Sequence, residues 1–289
     1  MRRLLIANGK RLIRNVWFWL GLAGMGIYAG FGLYSEYDWL CKYGMGMGSG
    51  SADALLFSIL EPLEFIRAAF ICMFIGEEYS NKTIRNKIIV GHSKTFVYLS
   101  NFMVCSMASI LMYLLPFVIF TVIGIPVLGP FQYPQKDLLC FFCGIFGTVA
   151  KTAMYVAFSM LISNKTVSVI VALLMSYMLL WLSYELPYNL RQPQMIEIDV
   201  FDEETGRVIG TEMQENPEYM KNEIQRNLYE FFIVFFPQGQ DTMYDTFIRD
   251  LDLFEVSEET IRLFPIYSII FSSIATGCGV FIFGKKDLK

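Results

Sequence analysis

The chain has 289 residues, 55% of them hydrophobic and only 17% charged, with a mean hydropathy of +0.46. A soluble domain is nearer 45–50% apolar and about 25% charged. The excess here is gathered into long runs, which excludes a single water-soluble core as its cause. The formal net charge of −4 conceals a sorting of charge by region. One histidine, His92, and six scattered cysteines argue against a zinc site. Cys140 and Cys143 have redox or metal spacing, but they lie in the apolar run LLCFFCGIF without a second ligand pair. No metal site, no catalytic residue and no nucleic-acid partner is expected.

Residues 1–15 read as an amphipathic helix, with Leu5, Leu12, Ile13 and Val16 on one side and Arg3, Lys10 and Arg14 on another. Such a helix lies in the membrane interface with its cations toward the headgroups. It runs into an apolar stretch marked by Trp17 and Trp19, without the small-residue cleavage site of a removable signal peptide. Six stretches are long enough to cross a bilayer, at about 16–34, 54–76, 96–128, 138–162, 167–186 and 264–284. The fold class is therefore an all-α polytopic membrane protein. The third stretch exceeds a simple crossing, so Pro116 and Pro126 are expected to break or kink it, its tail being re-entrant or interfacial.

Six crossings place both termini on one side. With the termini inside, the inner segments hold thirteen of the 23 Lys and Arg, against only Lys42 and Lys136 in the short outer loops. The positive-inside rule then makes both termini cytoplasmic.

The Gly-rich segment 44–50 lacks the Gly-Lys-Ser/Thr ending of a phosphate loop, and no such loop occurs elsewhere. The chain is not expected to be an enzyme. Glu77-Glu78 has neither an arginine one turn on nor enough histidines for an intramembrane protease. Near the start of the second span, Glu61, Glu64 and Arg67 are spaced to share one helix face. Mid-membrane charge costs about 2.5–3.5 kcal/mol on insertion scales, so such residues face partners or a cavity. They read either as a polar patch on a substrate pathway or as a structural Glu64–Arg67 ion pair. Lys151, mid-span with no partner in its own helix, raises the same question.

Residues 187–262 carry seventeen acids and six bases, a net of −11. Met195–Phe201 alternates apolar and acidic residues, and 207–211 can pair back after a turn at 202–206, which predicts a β-hairpin. Asn216 with Pro217 predicts the start of a helix ending in the Phe-rich run 228–236, too short to span and so buried or re-entrant. Pro237-Gln-Gly-Gln240 is expected to stop it, and Ser257 to cap the lead into the last span. This small α/β insertion reads as an outer gate that attracts cationic substrates, or as a solvated acidic cap.

The segment 77–95 reads as a cytoplasmic lever. Glu77 and Glu78 mark the exit from the second span, Thr83–Val90 is helix-compatible, Gly91 fits a helix end, and Ser93 with Lys94 starts the next helix. A short helix held between two spans can pass a push from below into both. Here the chain resembles the type-2 ABC exporter permeases, on Glu78-Tyr79, Thr83, Arg85-Asn86, Ile88–Val90, Gly91 and Ser93-Lys94. The departure is Lys82, where that family usually has Gly. The six spans, the basic amphipathic start and the large insertion between spans five and six extend the resemblance over the whole chain.

The resemblance implies a permease subunit in the bacterial cytoplasmic membrane, forming a pathway with a second, identical permease. A separate ATP-binding subunit, holding ATP and Mg, would dock at Glu77, Glu78, Thr83, Arg85, Asn86, Gly91, His92, Ser93 and Lys94. In layout the chain is nearest to exporters of peptide antibiotics, lantibiotics and peptide toxins, which implies an amphipathic or antimicrobial peptide as substrate. The alternative is a membrane sensor or immunity protein that binds a peptide at its outer loop without moving it.

Overall fold

The computed structural model describes residues 1–43, 52–201, 208–249 and 257–287. About 83% of the described residues are helical. Among them five helices are long and apolar enough to cross a membrane: α2 (Val16–Tyr43), the stretch Lys94–Leu128, α8 (Pro134–Leu161), α9 (Lys165–Leu190) and α12 (Glu258–Lys285). The Gly-rich segment 44–50 and the hairpin turn 202–206 lie outside the described residues.

The expected amphipathic start is a helix, α1 (Arg2–Arg14). Leu4, Asn8 and Leu12 form the buried stripe, while Ile13 and Val16 stand exposed. The stretch expected as one span at 54–76 is two helices, α3 (Ala52–Leu60) and α4 (Leu63–Ser80), separated by a turn at Glu61-Pro62. Pro62 has no N–H for the preceding turn and suits the start of a helix, so the break falls there. With Glu64, Arg67, Glu77 and Glu78 in its eighteen residues, α4 is not among the five apolar helices.

A short helix, α5 (Thr83–Ile89), follows. Lys82 enters it in the left-handed region, at φ +55°. Gly91, at φ +100°, ends it, with His92 N–H bonded to Lys87 O at 3.1 Å and Gly91 N–H to Ile88 O at 2.9 Å. Ser93 then caps α6 (Lys94–Ile119), its Oγ accepting from Phe96 N–H. The third stretch is not broken by its prolines. Pro116 sits inside α6, and a π-helical turn at Phe120–Gly124 absorbs the disturbance before α7 (Ile125–Leu128). Gly129 terminates it, so this tail is helical and continuous.

Helix α12 returns along α8, and α4 packs against α9 and α8. One end of the bundle gathers α1, α5, the C-terminal turn of α12 and most of the cations; it is the basic end. The opposite, acidic end carries the insertion. There β1 (Met195–Phe201) pairs antiparallel with β2 (Val208–Glu215), from Met195 opposite Glu215 to Phe201 opposite Val208, with an irregularity between Val200 and Phe201. Asn216 does not start the next helix; its side chain instead accepts from Glu218 N–H in a local turn. Asn222 caps α10 (Glu223–Phe235), accepting from the N–H groups of Ile224 and Gln225. Pro237 ends α10 as expected but also opens α11 (Pro237–Arg249). Ser257 caps α12, as expected.

The left-handed backbone at Lys82 costs an L-residue roughly 1–2 kcal/mol. Lys82→Gly should therefore keep the fold and raise thermal stability by about 1 kcal/mol, while a β-branched Lys82→Val should lower it. Equal melting temperatures for the three chains would show that the turn is unstrained.

Candidate functional site

Two buried polar networks order the bundle, one at the basic end and one in its interior. At the basic end the centre is Glu78, a buried carboxylate in the last turns of α4. Asn101 of α6 donates to it at 2.8 Å, and Arg11 of α1 and Lys87 of α5 pair with it. Lys87 also donates to Asn8 Oδ1 at 2.8 Å, and Asn8 donates to Ser100 and Asn101 at 3.0 and 2.9 Å. Burial pulls the Lys87 ammonium below its ordinary value, against the attraction of Glu78. The Arg11 guanidinium lies 3.7 Å from the centre of the Phe74 ring. Arg11 thus turns inward, unlike Arg3, Lys10 and Arg14.

Neighbouring residues extend these ties. Glu77 accepts from Asn15 and from the Trp17 indole, both at 2.8 Å, which fixes the α1–α2 corner. Thr83 donates to Glu78 O at 3.0 Å. Lys94 donates to Gly284 O and Lys286 O, at 3.0 and 2.7 Å. Lys286 reaches the Tyr79 hydroxyl and the carbonyls of Met160 and Leu161.

The nine residues expected to form the lever therefore divide. Thr83 and Glu78 join α5 to α4, Glu77 joins α4 to the α1–α2 corner, Lys94 joins α6 to the end of α12, and Ser93 caps α6. Arg85, Asn86 and Gly91 are exposed, and His92 is half-buried. Beside Arg85 and Asn86, Ile89 and Val90 are 70% and 79% exposed. A short helix is thus clamped on one side and bare on the other, with a mixed apolar and basic face. Asn8, Arg11, Lys87, Asn101 and Lys286 were not singled out by sequence. Asn8 carried the one available signal, a polar residue in register with Leu4 and Leu12.

The interior network centres on Glu64. Arg67 Nη1 and Lys151 Nζ both lie 2.8 Å from Glu64 Oε1. The side chains are almost fully enclosed: Glu64 and Arg67 are 1% exposed and Lys151 4%. The Tyr155 hydroxyl lies 3.2 Å from Glu64 Oε2 and 2.8 Å from Ser176 Oγ. The ion pair of the structural reading is present, and the partner that Lys151 lacks in its own helix comes from elsewhere: Lys151 also pairs with Asp241 of α11. Glu61 does not share this face. The break at Pro62 removes it to the turn, where it accepts from Tyr184.

Lys151 is seventeen residues from the start of α8, or about 25 Å from the acidic end. The first turn of α11 therefore reaches deep into the bundle. Gln240 secures it, accepting from Ser268 of α12 and donating to Val234 O, both at 2.9 Å. The turn before it leaves no room for a side chain at Gly239, where a Cβ would stand 2.9 Å from Ile233 Cα. Helices α10 and α11 thus form a tight wedge driven in from the acidic end. Phe235 and Phe236 pack on Phe271 of α12, so one side of the Phe-rich run is covered. Its other side, Ile224, Leu228 and Phe231, is exposed.

Among the described residues no three His, Cys, Asp or Glu side chains gather as a metal site. No family model, curated protein or solved structure matches the chain.

Lys151 is shared between a fixed carboxylate, Glu64, and one on the wedge, Asp241. Were α11 to withdraw, Lys151 would keep Glu64 as a partner. Asp241→Asn should loosen α11 and raise the thiol-reagent labelling rate of a cysteine placed at buried Met243 roughly tenfold, the effect of about 1.4 kcal/mol. Glu64→Gln should lower that rate, because Lys151 is then left to Asp241. Equal rates in all three chains would contradict a shared lysine.

Proposed function

We propose that the chain is the membrane-embedded permease subunit of an ATP-driven exporter of the type-2 ABC kind. The observation that carries this reading is α5, a helix clamped from within through Glu78 and bare on its outer face at Arg85, Asn86, Ile89 and Val90. That geometry suits a contact through which a separate ATP-binding subunit pushes on the bundle. The left-handed Lys82 supports it too, since it stands where the resembled family usually has a glycine. In this reading α3 and α4 together make a broken sixth crossing, and the basic end faces the cytoplasm of a bacterial cell.

The pathway would be shared with a second copy, and the α10–α11 wedge would be its outer gate, held by Lys151–Asp241. The net −11 of segment 187–262 supports a cationic amphipathic peptide as cargo. ATP and Mg would be held wholly by the partner subunit. A second reading, a sensor or immunity protein that captures peptide outside, draws on the exposed hairpin, where Met195 and Met213 lie open.

Gentle purification of the tagged chain from its native membranes, followed by mass spectrometry, separates the two. A stoichiometric ATP-binding subunit is expected, and Arg85→Glu combined with Val90→Asp should release it while the chain stays folded. Recovery of the chain without any ATPase, even after crosslinking, would contradict the permease reading and favour the sensor.

A further inference from the structure

Between α9 and the α10–α11 turn lies a cavity of about 320 Å³. Leu179, Leu182 and Leu186 form one wall, and Phe232 and Ile233 the other. No charged residue lines it. Gln238, in the first turn of α11, also lines it; this residue is 4% exposed, and its Nε2 has no hydrogen-bond partner among the described residues. The other polar side chains at the wall have partners already, since Ser183 Oγ donates to Leu180 O at 2.7 Å and the Tyr229 hydroxyl accepts from Gln225 Nε2 at 3.3 Å.

A buried amide donor without an acceptor has lost its bond to water and gained none in return. A donor of that kind in an otherwise apolar cavity is complementary to an apolar ligand that carries a carbonyl. Two sources of apolar chain are at hand, a lipid tail and a peptide, and depth decides between them. Gln238 lies three residues from Asp241, which meets Lys151 about 25 Å from the acidic end of α8. The ester oxygens of an upright lipid lie at headgroup level and present no acceptor so deep. A peptide carries a carbonyl at every residue, and in apolar surroundings each needs a donor.

We propose that this cavity is a subsite for an apolar peptide segment, with side chains of leucine or phenylalanine size in the cavity and one backbone carbonyl accepting from Gln238 Nε2. The inference rests on peptide being the cargo class and not on coupling to ATP. Because the subsite abuts the Pro237–Gly239 turn, a peptide seated there touches both arms of the wedge.

The test uses the full chain in phosphatidylcholine nanodiscs, titrated with a fluorescently tagged acetyl-Leu-Phe-Leu-amide and read by anisotropy. Saturable binding of one peptide per chain is expected, displaced by the untagged peptide. Gln238→Leu should weaken binding about five- to tenfold, the worth of one hydrogen bond. The same change should stabilise the empty chain, since it removes an unpaired buried amide. Ile233→Trp should abolish binding by filling the cavity. Ser183→Met narrows it from the α9 side, should Ile233→Trp prevent folding. Uptake no greater than into empty nanodiscs, or unchanged affinity in Gln238→Leu and the filled variants, would overturn the proposal. So would native mass spectrometry showing a retained lipid that peptide never displaces. An ATP-binding subunit found with a chain that binds no peptide would sink this inference alone.

Discussion

A carboxylate removed from water must be given donors, and Glu78 is where this chain meets that demand. Stranding such a group by removing a partner costs about 3–5 kcal/mol. Its donors come from three other segments: Arg11 from α1, Lys87 from α5 and Asn101 from α6. Each would be displaced if its helix moved independently. One side chain therefore obliges the surface helix, the lever and two bundle helices to keep a common geometry. The second tier of bonds, through Asn8 and Ser100, leaves little slack.

The interior network follows the same rule but is divided differently. Around Glu78 the donors all converge on one acceptor, which favours a single arrangement. Around Lys151 two acceptors compete for one donor, Glu64 on α4 and Asp241 on the wedge. A shared donor lowers the difference between wedge-in and wedge-out states, because the cation is satisfied in both. The chain thus combines a junction of several donors on one carboxylate at the basic end with one of a cation shared by two carboxylates toward the acidic end. In the proposed exporter the first would receive force and the second would yield to it.

Much of this was written locally in the sequence. The short helix α5 was legible because its signals are short-range: a cap at Ser93, a glycine end at Gly91, and an apolar Ile84 and Ile88 within one helix. The hairpin was legible from alternation, and the start of α12 from Ser257. The inward turn of Arg11 was not, because a basic residue on an amphipathic surface helix reads as headgroup-facing until the buried carboxylate opposite is known. The bond between Lys151 and Asp241 joins residues 90 positions apart, beyond any periodic pattern. Asn216-Pro217 misled because Asn side chains close local turns as readily as they cap helices. The helix start lay six residues on, at another asparagine with the same chemistry. The break at Pro62 was masked by the apolar run that continues across it.

The central claim is that α5 is a rigid extension of the bundle, fixed through Glu78. Pulsed electron resonance between spin labels at Ile89 and Met107 tests it most directly, since both positions are exposed and lie on α5 and α6. The native cysteines would be replaced first. A single narrow distance distribution is predicted, broadening when Glu78→Gln is introduced. A broad distribution in the unaltered chain, or a narrow one that survives Glu78→Gln, would contradict the account.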